Sequence, residues 1–221
     1  MSGASVPEFY GRWARLYDRI ATLPGVGRWR RTAADALELS PGDTAVEMGC
    51  GTGANLPYLR RRVGPEGRVV GVDLTPELLA RAGERSPGAR LLRGDATRPP
   101  VAEADAVLGT FVTGMFADPA GAVEEWCDLC SGRVALMDLS ATDRALGRPL
   151  SPAFRAFTAV STPSSTPWDV LTSVLPGARA DSTLSRRVDE GRERLTDLTV
   201  ERRFERFALG FCGLLSGRSV A

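Results

Sequence analysis

The sequence predicts a doubly wound α/β domain with a mostly parallel sheet, and three observations support this fold class. Apolar runs alternate with longer segments that carry apolar residues at helical spacing. Three glycines, Gly49, Gly51 and Gly53, follow the first apolar run, where a strand gives way to a helix. Asp73 ends the second apolar run. A glycine turn followed by an acidic strand end is typical of sheets that bind a nucleoside at their carboxyl edge.

Five strands and the helices between them can be assigned from the spacing of apolar residues. The strands are predicted at 44–46, 68–73, 89–93, 104–108 and 133–139. Helices are predicted at 8–19, 25–39 and 54–62, after Thr75-Pro76, and from Asp118-Pro119 to Ser131. In the last two, a capping residue precedes a proline at the first helical position, which favours a helix start.

Beyond the fifth strand, the spacing of apolar residues indicates strands and helices less clearly. Residues 141–166 are irregular, with three prolines and a cluster of Ser and Thr. We predict a short helix at 168–175, a sixth strand at 179–184, and a final strand at 204–214 that bends at Gly210. Because no repeat or composition break divides the chain, residues 1–221 are predicted to form a single domain.

The composition narrows the classes of function. The chain has 221 residues, 43% of them hydrophobic and 25% charged, as in an ordinary soluble protein. Its net charge of +1 argues against a dedicated nucleic-acid surface. No apolar stretch is long enough for a transmembrane segment, and the N-terminus lacks the pattern of a secretory signal. We therefore expect a cytoplasmic protein.

The four cysteines do not form a convincing metal or redox motif. Cys127 and Cys130 have the spacing of such motifs, but we predict that both lie on one helix. The chain has no histidine, and Cys50 and Cys212 are distant in sequence. We expect buried structural thiols and no metal site.

The glycine turn alone leaves two cofactors open. Gly49-x-Gly51-x-x-Ala54 satisfies a relaxed dinucleotide pattern, and Asp73 lies at about the spacing that NAD requires. With Glu47 in front, however, the glycines have the E-x-G-x-G-x-G form typical of class I S-adenosylmethionine (SAM) methyltransferases. All 28 basic residues are arginines, so the His and Lys that dehydrogenases commonly use for proton transfer are absent. We favour SAM over a nicotinamide cofactor.

The resemblance to class I SAM methyltransferases covers residues 44–139, which follow the family's order of strands, turns and helices. It implies a seven-stranded, mostly parallel, Rossmann-like sheet whose last strand is antiparallel. Residues 9–19 resemble the Tyr-Asp lead of quinone C-methyltransferases, which small phosphatidylethanolamine N-methyltransferases share. Gly27-x-Trp29-Arg30-Arg31 resembles the Trp-Lys-Arg stretch of the quinone group.

The resemblance also implies a set of cofactor-binding residues. Asp73 would take the ribose hydroxyls, Asp95 the adenine amine, and Thr110 the methionine end. Tyr17 would reach the cofactor's carboxylate or the acceptor from a helix that closes over the site. The full predicted set is Glu47, Gly49, Gly51, Thr52, Gly53, Asp73, Leu74, Asp95, Ala96, Thr110 and Tyr17.

No catalytic residue can be assigned from the sequence. Methyl transfer needs mainly positioning and the exclusion of water, and a base only if the nucleophile must lose a proton. In a chain without histidine or lysine, the candidate bases are Asp138, Asp143, Asp118, Tyr17 and Tyr10.

The acceptor is expected to be a small molecule or lipid-like. Carbon methylation of a quinone-like, apolar acceptor is favoured, and N- or O-methylation of a phospholipid head group or secondary metabolite is the alternative. A SAM-binding protein without activity is a third possibility. We expect residues 1–40 to form a helical lid and residues 141–176 a substrate-side insertion. The basic runs at 28–31 and 60–62 are expected to be solvated, and the first could contact a membrane surface.

Overall fold

The computed structural model describes residues 25–140, 142, 147–152 and 183–220, and within them seven strands form one sheet. The strands are β1 (Thr44–Met48), β2 (Arg68–Asp73), β3 (Arg90–Arg93), β4 (Ala104–Thr110), β5 (Cys130–Leu139), β6 (Thr199–Phe207) and β7 (Cys212–Ser219). Their order across the sheet is β3-β2-β1-β4-β5-β7-β6. The first five are parallel, and β7 runs antiparallel to both β5 and β6. The predicted seven-stranded, mostly parallel sheet is confirmed.

Helices cover both faces of the sheet. They are α1 (Val26–Asp35), α2 (Leu56–Val63), α3 (Pro76–Arg85), α4 (Pro119–Asp128) and α5 (Thr183–Asp197). Buried residues of α1, α2 and α3, such as Ala33, Leu59 and Ala82, belong to the core on one face. Buried residues of α4 and α5, such as Trp126 and Leu195, belong to the core on the other. The central strands are buried on both sides, which explains their nearly continuous apolar sequence.

The strand order places a ligand crevice beside β1. From β1 the chain first builds the sheet outward through β2 and β3, and then returns to add β4 on the other side. The helices that follow β1 and β4 therefore leave in opposite directions, and a crevice opens between them at the carboxyl edge. The glycine turn lies directly after β1, at this point of the sheet.

The C-terminal part of the fold differs from the prediction. The sixth strand predicted at 179–184 is wrong for Thr183 and Leu184, which begin α5. The single strand predicted at 204–214 is also wrong, because it joins the end of β6 to the start of β7. Between them, Ala208–Gly210 form a tight turn in which Leu209 and Gly210 have φ values of 57° and 96°. The true sixth strand lies further along the chain, at Thr199–Phe207.

Other boundaries agree to within a few residues. The fourth strand continues to Thr110, and α4 ends at Asp128, so that Cys130 begins β5 and does not extend the helix. The predicted helices at 8–19 and 168–175 and most of 141–166 lie outside the described residues. In the part of the chain that is described, none of the helices has the length and apolar character needed to span a bilayer.

Candidate cofactor site

The glycine turn requires glycine for its own geometry. Gly49, Gly51 and Gly53 have φ values of 65°, 53° and 72°, a region that residues with a Cβ rarely adopt. A Cβ on Gly49 would lie 2.5 Å from Cγ2 of Val112, and one on Gly53 would lie 2.9 Å from the Cβ of Ala82. The turn therefore packs tightly against β4's exit and α3, with its backbone at the carboxyl edge of β1.

Asp73 connects the turn to the end of β2. Its Oδ2 accepts a hydrogen bond from the backbone N–H of Gly51 at 2.8 Å, and its Oδ1 accepts one from Thr75 N at 2.9 Å. Burial raises the pKa of this carboxyl, and the N–H donors partly offset the rise. Each carboxylate oxygen keeps further acceptor capacity, so the side chain can also receive hydroxyl donors in the crevice.

A buried polar network lies below the turn, between the sheet and helices α1 and α2. The side-chain amide of Asn55 donates to Oε1 of Glu47, and to Oγ1 of Thr110 at 2.8 Å. Its carbonyl oxygen accepts from Nη1 of Arg30 at 2.8 Å. All four side chains are buried. The network joins β1, β4 and two helices within the apolar core of this face.

Glu47 is the unusual member of this network. It is only 1% exposed, and its Oε2 is buried without a hydrogen-bond partner. Burial raises the pKa of Glu47 to about 7, while Asn55, the Arg30 guanidinium and Thr110 oppose that rise and the Asp73 carboxylate adds to it. An orphaned acceptor of this kind is costly unless a ligand supplies a donor.

Three further predicted cofactor-binding residues, Leu74, Asp95 and Ala96, follow the ends of β2 and β3. Leu74 is 46% exposed, which is high for a leucine beside a crevice. Asp95 is exposed, and its Oδ1 accepts from both the backbone N–H and the hydroxyl of Thr97, at 2.9 and 2.8 Å. The carbonyl of Ala96 accepts from Nε1 of the buried Trp126 at 2.7 Å, which fixes the loop after β3 to α4.

Two predicted residues stand apart from this arrangement. The hydroxyl and carbonyl oxygens of Thr52 each accept from Nη1 of Arg85 at 2.9 Å, so the side chain is tied to α3. Cofactor contact through the hydroxyl or the backbone N–H of Thr52 stays a prediction. Tyr17 lies outside the described residues.

The candidate bases that can be located have structural contacts. Asp138 is buried near the end of β5 and accepts from the Thr113 hydroxyl at 2.6 Å. Burial raises its pKa. Asp118 caps α4 by accepting from Gly121 N at 2.9 Å. The contacts of Asp138 and Asp118 therefore identify neither residue as a base. Asp143, Tyr10 and Tyr17 lie outside the described residues.

The sequence did not reveal two members of the buried network. Nothing in the sequence marks Asn55 as functional, and the prediction that the basic run at 28–31 is solvated is wrong for Arg30. Arg28 and Arg31 are exposed, but Arg30 is 4% exposed and Trp29 stacks on Phe207 with ring centroids 6.0 Å apart. The helical period contains the missing signal, because Arg30 lies three and four residues before the buried Ala33 and Ala34.

The four cysteines are all buried, as expected for structural thiols. Burial raises the pKa of Cys127 to about 12 and that of Cys130 to about 11, so neither is a reactive thiolate at neutral pH. Within the described ranges, no cluster of three acidic or cysteine side chains is arranged to hold a metal ion.

Fold and site together define a nucleoside-binding α/β protein, and the comparisons specify its family. Residues 46–141 match the model of a methyltransferase domain. The chain is 37% identical over 146 residues to a 2-phytyl-1,4-naphtoquinone methyltransferase of Thermosynechococcus vestitus, covering 62% of this chain and 65% of that protein. It is 31% identical over 162 residues to a phosphatidylethanolamine N-methyltransferase of Cereibacter sphaeroides, covering 65% of this chain and 76% of that protein.

A solved structure shares the fold. A SAM-dependent methyltransferase from Aquifex aeolicus superposes with a TM-score of 0.61 at 18% identity, over 95% of this chain and 98% of that one. The chain belongs to the SAM-dependent methyltransferases, whose cofactor is S-adenosylmethionine. It spans less than two thirds of the length of the first curated relatives that it matches.

Proposed function

We propose that this protein transfers the methyl group of SAM to a ring carbon of a quinone-like, apolar acceptor. The observation that carries the methyl-transfer part is the pairing of Asp73 with the glycine turn, beside the orphaned carboxylate oxygen of Glu47. The preference for a quinone is supported by the relative named for a naphthoquinone acceptor. Membership of the family does not determine the acceptor, and the proposal names the class of acceptor.

The residues of the crevice fit the cofactor. Asp73 would hold the ribose hydroxyls, because its carboxylate lies at the strand end with acceptor capacity left. Leu74 would pack on the adenine ring, and Asp95 would accept from the adenine amine. Glu47 and Thr110 would lie at the methionine end, where Oε2 of Glu47 lacks a donor. When bound, SAM supplies an activated methyl group with a good leaving group.

The protein's contribution to the reaction is then positioning. The tightly packed turn and the buried network give the cofactor site a rigid floor, which favours in-line alignment of acceptor and methyl group. Asp138 and Asp118 are engaged in structural contacts, and the chain has no histidine. The reduced, hydroquinone form of such an acceptor suits this site, because its electron-rich ring carbon can form the bond to the methyl group before its own proton is lost to solvent.

The acceptor can be identified with isotope-labelled SAM. A reduced demethylnaphthoquinone and phosphatidylethanolamine vesicles would be offered separately to the purified protein, with Asp73→Ala, which should bind SAM weakly, as the control at low SAM concentration. We expect label in the quinone fraction. Label confined to the phospholipid would favour the second candidate, N-methylation of a head group, which the relative covered over 76% of its length supports.

Two further outcomes have clear meanings. Binding of S-adenosylhomocysteine without labelling of either acceptor would favour a secondary metabolite or a protein without activity. Binding of NAD in calorimetry, without a response to S-adenosylhomocysteine, would contradict the cofactor assignment. That the acceptor is not a nucleic acid stays a prediction from the net charge of +1.

A further inference from the structure

Arg30 joins helix α1 to two segments beside the cofactor crevice. Its guanidinium is buried and donates to Oδ1 of Asn55 at 2.8 Å. Its Cζ also lies 6.0 Å from the ring centroid of Phe111, within the range of a cation–π contact. Phe111 follows β4 and has a φ of 57°, an uncommon conformation for a bulky residue. One side chain of α1 thus contacts both segments that border the methionine end of the site.

The contact between Arg30 and Asn55 determines how the amide of Asn55 is oriented. Because Arg30 is a donor only, it selects the carbonyl oxygen of Asn55 as its partner. The NH2 group must then point the other way, where it meets Oε1 of Glu47 and Oγ1 of Thr110. With Oε1 occupied, Oε2 of Glu47 remains as a buried acceptor without a partner.

We propose that Arg30 is a positioning residue that, through Asn55, keeps Glu47 ionised and oriented to receive the α-ammonium group of the cofactor. This inference rests on the proposed placement of the methionine end beside Glu47. The α-ammonium is the group of SAM that combines a positive charge with N–H donors, and it therefore matches a carboxylate oxygen that lacks a donor.

The electrostatics around Glu47 support this role. Two charged groups act on it from neighbouring elements: Arg30 on α1 favours the carboxylate, and Asp73 on β2 disfavours it. The Cys50 thiol is also nearby, but burial and the two carboxyl groups raise its pKa, so it stays neutral. With the pKa of Glu47 at about 7, loss of Arg30 would leave the residue mostly protonated at neutral pH.

The test is the pH dependence of S-adenosylhomocysteine binding, measured by calorimetry between about pH 5.5 and 8.5. Wild-type affinity should be full above the pKa of Glu47 and should fall as the pH drops below about 7. In Arg30→Gln, which keeps a donor but loses the charge, the midpoint should move up by about one pH unit, so that affinity falls about threefold at pH 7.5 and about tenfold at pH 5.5. Arg31→Gln, on the exposed side of the same helix, should match wild type.

Adenosine provides a control without any mutation, because it lacks the amino acid end and should bind with no pH dependence in this range. Arg30→Lys keeps the charge, so its midpoint should stay at the wild-type value even if affinity drops. If Arg30→Gln does not fold, the midpoint of the pH profile of Arg30→Lys still tests the proposal.

A flat wild-type profile, an equal loss at every pH in Arg30→Gln, or a displaced midpoint in Arg30→Lys would overturn the proposal. Because no acceptor is present, these results do not depend on whether the substrate is a quinone.

Discussion

At the scale of single residues, Asp73 is the clearest test of the cofactor site. Its two carboxylate oxygens accept from Gly51 and Thr75, and its remaining acceptor capacity is assigned to the ribose. We expect Asp73→Ala to weaken S-adenosylhomocysteine binding by about 1.5–3 kcal/mol, the range for losing charge-assisted hydrogen bonds. Calorimetry measures this directly.

The matched control for Asp73→Ala is Asp105→Ala. Asp105 also accepts from a backbone N–H, that of Thr44 at 2.7 Å, but at the amino end of the sheet. Its removal should leave the affinity unchanged. Equal affinities for Asp73→Ala and wild type, with both proteins folded, would show that the ribose assignment is wrong.

Glu47 should make stability depend on pH. Its pKa is raised by burial from an ordinary 4.5 to about 7, so the folded state holds a proton that the unfolded state releases. The resulting stability is fully present below pH 4.5 and is lost as the pH rises through 7. Glu47→Gln should therefore match wild type near pH 4.5 and exceed its free energy of unfolding by about 1–3 kcal/mol at pH 8.

Urea denaturation at the two pH values would measure this difference. Glu47→Gln should also bind S-adenosylhomocysteine more weakly. The buried carboxylate that lowers the stability of the folded protein is the group proposed to bind the ligand. A variant that is less stable than wild type at pH 8 would indicate that Oε2 has a partner in solution.

The sequence was informative where partners are close along the chain and uninformative where they are not. The glycine turn could be recognised because a strand, three glycines and a helix start follow one another directly. Arg30 and Asn55 are separated by 25 residues, and Asn55 and Thr110 by 55. Only the fold brings these side chains together, so each looked like an ordinary polar residue.

At the scale of elements, comparing Gly53 of the glycine turn with Gly42 separates the energetic cost of steric crowding from that of backbone strain. Gly53→Ala combines an unfavourable φ of 72° with Cβ contacts of 2.9 Å to Ala82 and Leu56. Gly42→Ala has a φ of 99° but no atom within 4 Å of the added Cβ. We expect a loss of about 1–2 kcal/mol in Gly42→Ala from strain alone. Crowding should add about 1–3 kcal/mol in Gly53→Ala.

Free energies of unfolding and S-adenosylhomocysteine affinities of both variants would test this. Gly42 lies in the loop before β1, so its variant should keep normal affinity, whereas Gly53→Ala should lose it. Equal losses of stability would mean that α3 moves away without cost.

Helix α5 was not predicted because it has few apolar residues. Helix α5 buries only Val188, Gly191 and Leu195 among its 15 residues, and the rest of the helix is largely charged. Gly191 lies against Thr113 and Pro119, so the absence of a side chain contributes to the packing. Conversely, residues 207–214 form one continuous run of apolar residues and glycines, although the chain reverses within it.

At the scale of the whole molecule, the lid prediction remains open to a direct test. The described core, from α1 onward, contains the cofactor crevice and its buried network. Deleting residues 1–22 leaves α1 intact but removes Tyr17, so S-adenosylhomocysteine should still bind, weakened by no more than the loss of one hydrogen bond, about 1 kcal/mol. If the predicted lid excludes water from the acceptor, methyltransferase activity should be largely lost. Full activity in the shortened protein would refute the lid.

Trp126 gives this protein a built-in optical signal. The indole is fully buried, and its N–H donates to the carbonyl of Ala96, the residue next to Asp95. A nucleoside seated against this loop would change the polarity and hydrogen bonding around the indole. In a variant with Trp13, Trp29 and Trp168 replaced by Phe, emission should shift saturably on titration with S-adenosylhomocysteine. The protein would then report cofactor occupancy without an attached dye.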